Sequence, residues 1–153
     1  MPSRFPPTAG VNRFLHGGDY NPDQWLDEPG IIDDDFRLMK LANVNAITLG
    51  VFAWAALEPE EGRFTFEWMD RIMDRCDREG ISVILATPTA SQPAWMSGKY
   101  PEVMRLGGNG HLEEHGGRVR YCLTSPTYRE KCRIIGGELA RRYSGHPALA
   151  LWH

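Results

Sequence analysis

Three short apolar runs, Asn45 to Phe52, Ser82 to Ala86 and Ala148 to Trp152, constrain this chain more than any other feature. Each has the length of a strand and almost no polar alternation, the pattern of a strand buried on both faces of a parallel sheet. Parallel neighbours need long crossover connections, and the intervening sequence supplies them as helices. Glu67 to Glu79 places Trp68, Met69, Ile72, Met73 and Cys76 on one helical face, with Gly80 where a C-terminal cap belongs. Ser125 is a good N-cap residue, Pro126 suits the first helical position, and Tyr128, Cys132, Ile135, Leu139 and Tyr143 repeat at spacings of three and four. Gly145 and Pro147 end that helix. Asp33 to Ala42 is predicted as an earlier helix with its acidic residues in the first turn, and Phe14 to Tyr20 as a first strand stopped by Asn21-Pro22. The order strand-helix-strand-helix-strand-loop-helix-strand predicts an α/β fold with right-handed crossovers.

Residues 1–12 are aperiodic and read as a loose leader before a single unit over 13–153. No apolar h-region marks a secretory signal. The three cysteines, Cys76, Cys122 and Cys132, are too few for a disulfide framework, which predicts a reducing, cytoplasmic setting. Seventeen Lys and Arg against 20 Asp and Glu give a formal charge of -3, which disfavours nucleic-acid binding. No apolar run suits a membrane span.

In parallel α/β folds the chemistry sits at the C-terminal strand ends. Those ends carry Asp19-Tyr20-Asn21, Ala53-Trp54, Thr87 to Ser91 and Trp152-His153. Aromatic rings beside Asn, Asp and Arg suit a sugar pocket, where a ring face stacks on C–H bonds and polar groups hold hydroxyls. Tyr20, Trp54 and Trp152 are the aromatic candidates; the alternative is that the tryptophans cap the core. Arg118 and Arg120 close the long Gly- and Pro-rich loop, Gln92 to Gly117. Either guanidinium could hold two sugar oxygens, the alternative being surface ion pairing. No dinucleotide or phosphate-loop glycine motif and no Gly-x-Ser-x-Gly elbow occurs. His111-Leu112-Glu113-Glu114-His115 matches a zinc-peptidase pattern, but the flanking glycines resist the helix that chemistry needs, so a solvated loop tip is expected. Glu58-Pro59-Glu60-Glu61-Gly62 reads as a solvated turn. Cys76 and Cys132 lie on apolar helix faces and are expected in the core.

Taken together, Gly17 to Trp25, Asp35 to Lys40, Gly50 to Trp54, Leu57 to Gly62, Ala86 to Trp95, Arg118 to Cys122, Ser125-Pro126, Tyr128 to Glu130 and His146 to His153 resemble the N-terminal part of a glycoside hydrolase family 42 β-galactosidase. The match runs in order with compatible spacing over nearly everything after residue 13. The resemblance implies the first half of a (β/α)8 TIM barrel, incomplete at about the fourth strand. A complete barrel takes ~250 residues. It further implies retaining hydrolysis of terminal β-D-galactosides by two glutamates, with no required cofactor. Arg118 takes the place of a galactose-contacting arginine. Cys122 takes the place of the first of four cysteines that hold a structural zinc in some members, the other three lying past His153. Both catalytic glutamates are also expected beyond His153, the acid/base a few residues on. The chain alone is therefore expected to be inactive and the full-length protein a homo-oligomer, a trimer being typical of the family. Two other readings fit the same residues: a non-catalytic sugar-binding half-barrel, or another retaining glycosidase of the same barrel clan.

Overall fold

The computed structural model describes residues 13–116 and 118–153, so the leader assigned to 1–12 lies outside the described residues. Four strands, β1 (Gly17–Tyr20), β2 (Ala46–Leu49), β3 (Ser82–Leu85) and β4 (Leu149–Trp152), form one sheet in the order β1-β2-β3-β4, every neighbouring pair parallel. Helices α1 (Pro29–Leu41), α2 (Trp54–Leu57), α3 (Glu67–Glu79), α4 (Ala94–Lys99) and α5 (Pro126–Tyr143) join them, with 3-10 turns at Pro22–Trp25 and Pro101–Val103. Among the described residues no helix is long and apolar enough to cross a membrane.

The strands are covered unequally on their two faces. Ile47, Leu49, Val83 and Leu85 are buried to within 2% and pack with Phe36, Met69, Met73, Ile135 and Leu139 from the helices. The intervening Thr48 and Ile84 are only half-buried, and Asp19 beside them is exposed. The sheet thus has one helix-covered face and one open face, and among the described residues β1 and β4 have one strand neighbour each. Closing such a sheet takes about eight strands. Four make an incomplete (β/α)8 barrel.

The helix signals hold where cap chemistry and periodicity agree. All five apolar residues of α3 are buried, and Gly80 takes the left-handed conformation (φ +71) that stops the helix. The Ser125 hydroxyl accepts the Tyr128 N–H at 3.3 Å to start α5, whose Tyr128, Ile135, Leu139 and Tyr143 are buried while Cys132 is half-buried. Replacing a fully buried residue such as Leu85 or Met69 by alanine costs about 2–5 kcal/mol at such sites.

Three expectations need correction. Helix α1 begins at Pro29, whose fixed φ suits a first turn, so Asp33, Asp34 and Asp35 lie mid-helix rather than in the first turn. There they are held from the side: Asp33 pairs with Arg75 at 2.5 Å, Asp34 with Arg37 at 3.0 Å, and Asp35 accepts the Tyr20 hydroxyl at 3.2 Å. Strand β2 stops at Leu49 because Gly50 turns the chain at φ +87, and Val51 is buried in the turn that follows. Strand β1 starts only at Gly17, and Phe14 before it is 77% exposed. The Asn45 side chain anchors this entering segment, accepting the His16 N–H at 2.8 Å and donating to the Phe14 carbonyl at 2.9 Å.

Candidate functional site

The C-terminal ends of the strands share one rim, and two loops build most of it. The first follows β2. After Gly50, Val51, Ala53 and Trp54 turn into the core, and Phe52 remains half-buried, apart from the core cluster. Trp54 has no exposed surface and presents no ring face to a ligand. Its indole N–H donates to Glu58 Oε2 at 2.8 Å, one helical turn on. The other carboxylate oxygen of Glu58 accepts the Gly62 N–H at 2.8 Å, and its main-chain carbonyl accepts the Trp95 indole N–H at 2.8 Å.

The acidic run after β2 is therefore no solvated turn. Glu58 is 2% exposed and ties the β2 loop to α4. Glu61 accepts hydrogen bonds from Lys131, Lys99 and the Tyr100 hydroxyl, the last at 2.8 Å, and these donors draw its carboxyl down to about 2. Only Glu60 behaves as expected, its side chain exposed and paired with Arg63 at 3.0 Å.

The second loop lies between the 3-10 turn at Pro101–Val103 and α5. Antiparallel bridges pair Met104 with Tyr121 and Leu106 with Leu112, giving an irregular hairpin within what the sequence offered as one long loop. Inside it Glu113 reaches Arg105 at 2.7 Å and Arg120 at 3.0 Å. Those two guanidiniums hold the Glu113 carboxyl below its ordinary value. His111 and His115 sit on this loop, not on a helix, and His115 Nδ1 lies 3.0 Å from the Ser97 hydroxyl.

Spacing left Arg118 and Arg120 as equals; their partners separate them. Arg120 is held by Glu113, whereas Arg118 pairs with no carboxylate among the described residues. The exposed Arg118 guanidinium instead stands 4.9 Å over the centre of the Phe52 ring, a cation–π contact that brings the second loop onto the first. Val119, next in the chain, adopts φ +55, a conformation that β-branched residues rarely take and that costs of order 1–3 kcal/mol. A tethered Arg120 on one side and a strained Val119 between fix how Arg118 leaves the loop.

The remaining candidates divide. Tyr20 is 9% exposed, its ring edge-on to Phe36 at 6.0 Å and its hydroxyl on Asp35; burial raises that hydroxyl's pKa. It serves the core on the β1 side. Trp152 is 44% exposed at the end of β4, paired in register with Leu85. Cys122 is half-buried, its thiol 3.1 Å from the Thr124 hydroxyl, and that hydroxyl with neighbouring main-chain N–H groups lowers its pKa. Cys76 is fully buried, which pushes its thiol up to about 12. A structural zinc needs four ligands, and among the described residues no three His, Cys, Asp or Glu side chains gather. The described residues alone do not fit such a site.

The sequence reading missed Phe52, Glu58, Glu61 and Glu113. The four-residue spacing of Trp54 and Glu58 was a usable signal, since such pairs meet on a helix. Nothing in spacing marks Glu113, whose partners lie eight positions before it and seven after it.

Comparison with known proteins agrees with this architecture. The glycoside hydrolase family 42 model, described as β-galactosidase, matches residues 19–153. The β-galactosidase BglY of Alicyclobacillus acidocaldarius is 52% identical over 153 residues, all of this chain and 22% of that protein. GanA of Bacillus subtilis, also a β-galactosidase, is 57% identical over 140 residues, covering 92% of this chain and 21% of that protein. Among solved structures, the cold-adapted β-galactosidase from Rahnella sp. R3 superposes with a TM-score of 0.92 at 51% identity, over 95% of this chain and 22% of that one. The chain spans about a fifth of the length of these relatives. On sequence and fold alike, the chain belongs to glycoside hydrolase family 42, the β-galactosidase family.

Proposed function

We propose that this chain supplies part of the sugar-binding rim of a β-galactosidase that hydrolyses terminal β-D-galactosides with retention, and that both catalytic glutamates come from outside these 153 residues. The observation that carries the reading is Arg118. It is the one guanidinium of the second loop without a carboxylate partner among the described residues, and it stands exposed on the rim over Phe52. A planar fork of N–H donors so placed suits adjacent sugar hydroxyls.

Retaining hydrolysis needs two carboxyl groups about 5–5.5 Å apart on opposite sides of the glycosidic bond. Glu58, Glu61 and Glu113 of the two rim loops are engaged in structural contacts, which supports placing the acid/base and nucleophile on strands not present here. The two carboxylates perform the chemistry without a cofactor, and Arg118 orients the sugar. Of the three aromatic candidates only Trp152, at the end of β4, is exposed, in register with Leu85. In the full-length oligomer Cys122 contributes one thiolate if the remaining zinc ligands follow β4.

The test joins residues 1–153 to the remainder of the Alicyclobacillus relative and assays a chromogenic β-galactoside. The chimera is expected to turn over, and Arg118→Ala to lose at least tenfold in kcat/KM, about 1.4 kcal/mol. The 153-residue chain by itself is expected to show no turnover. Robust hydrolysis by that chain, or an Arg118→Ala chimera as active as its parent, refutes the reading.

A further inference from the structure

We infer that Phe52 is a positioning residue for Arg118, a role that rests on the sugar-binding reading of that arginine. Sixty-six positions separate the two in sequence, and the fold sets one over the other at 4.9 Å. Within Val51 to Trp54, Phe52 alone stays out of the core: Val51, Ala53 and Trp54 are buried, and Phe52 is half-buried on the rim. Its ring is not needed to fill the interior, so its place over the loop calls for another account.

The nature of the contact supplies one. A carboxylate partner, such as Glu113 for Arg105, occupies N–H donors of a guanidinium. A ring face attracts the same cation through its quadrupole and takes none of those donors. Phe52 therefore restrains Arg118 while leaving its fork free for hydroxyl groups. The loop side is fixed independently by Glu113 on Arg120 and by the left-handed Val119. Without the ring the long Arg118 side chain samples its rotamers, and each sugar must restore the order on binding. That loss falls on ground state and transition state alike, so it raises KM and spares kcat.

Three variants of the chimeric β-galactosidase test this: Phe52→Leu, which removes the ring and keeps an apolar side chain; Phe52→Tyr, which keeps the ring; and Arg118→Ala. Phe52→Leu is expected to raise KM roughly three- to tenfold with kcat within about twofold, and Phe52→Tyr to restore the parental KM. An unchanged KM in Phe52→Leu, beside a damaged Arg118→Ala, overturns the inference while leaving the sugar-binding reading intact. A chimera without activity, or one indifferent to Arg118→Ala, defeats that reading instead. The positioning role is then decided on the 153-residue chain by NMR. Phe52→Leu must shift the ring-current-displaced Arg118 side-chain resonances toward ordinary arginine values, and resonances that stay in place overturn it.

Discussion

Glu58 offers a sharp test of how the rim is held together. Its carboxylate is 2% exposed and accepts two N–H groups, from the Trp54 indole and from Gly62, each at 2.8 Å. Hydrogen bonds to a charged acceptor contribute about 1.5–3 kcal/mol each, and a buried donor left without an acceptor costs about 1–3 kcal/mol. Glu58→Gln keeps one acceptor oxygen and turns an NH2 toward the other donor, so one bond is lost and one donor is orphaned. The expected cost is about 2–3 kcal/mol. Glu58→Leu orphans both donors, and about 3–6 kcal/mol follows. With a urea m-value of ~2 kcal/mol/M, the glutamine variant should lower the unfolding midpoint by about 1 M. Far-UV circular dichroism of the purified chain in urea measures it. Glu60→Gln is the control, because the Glu60 side chain is 73% exposed and its pairing with Arg63 is worth under about 1 kcal/mol. A Glu58→Gln midpoint that moves no further than that of Glu60→Gln refutes the reasoning.

Two further outcomes follow from the geometry of the rim and of the β1–β2 pairing. Glu61 is held near about 2 by Lys131, Lys99 and Tyr100, below the usual glutamate range. Its stabilising contribution is complete above that range and is lost as pH falls toward about 2; in pH-dependent urea melts Glu61→Gln should flatten this acid limb, and an unaltered limb counts against the cluster. Gly17 and Gly18 should differ sharply in tolerance. A Cβ on Gly17 would lie 1.7 Å from the Ala46 carbonyl oxygen, while one on Gly18 meets nothing within 4 Å. Gly17→Ala is expected to disrupt β1–β2 pairing and lower the melting temperature by several degrees, with Gly18→Ala near the parent. Equal melting temperatures would contradict the register.

What the sequence made legible was whatever rests on local periodicity and cap chemistry. Helix α3 announced itself through five apolar residues on one face and Gly80 after them; α5 did so through Ser125, Pro126 and its Tyr128-to-Tyr143 stripe. Strand bounds ran long because Val51 and Ala86 are buried in the turns that follow β2 and β3, so apolarity outlasts the pairing. The α1 start was misplaced for a different reason. Three consecutive aspartates imitate an N-terminal turn, yet they serve Arg75, Arg37 and Tyr20 from mid-helix. At the rim, residue types were readable and partners were not. Trp54 and Tyr20 have the composition of a sugar platform, and only the fold turns them inward. Arg118 and Arg120 differ in their partners, the Phe52 ring for one and Glu113 for the other, and no spacing rule contains either contact.

The strictly sequential strand order also bears on how the chain assembles. Partners across β1–β2 and β2–β3 lie 29 and 36 positions apart (Gly17 with Ala46, Ala46 with Ser82), whereas Val83 and Leu149 are separated by 66. Loop-closure entropy grows with the logarithm of that separation, so the third pairing costs about 0.5 kcal/mol more than the second. The added length is the rim-building segment between β3 and α5. Local pairings form early and distant ones late, so β1, β2 and β3 should collapse with α1 and α3 before α5 delivers β4. Until then the edge of β3 that pairs with β4 is a bare parallel edge, the kind of surface on which nascent chains join one another. The long segment that carries Arg118 to the rim thus prolongs the interval in which a folding chain is vulnerable to its neighbours.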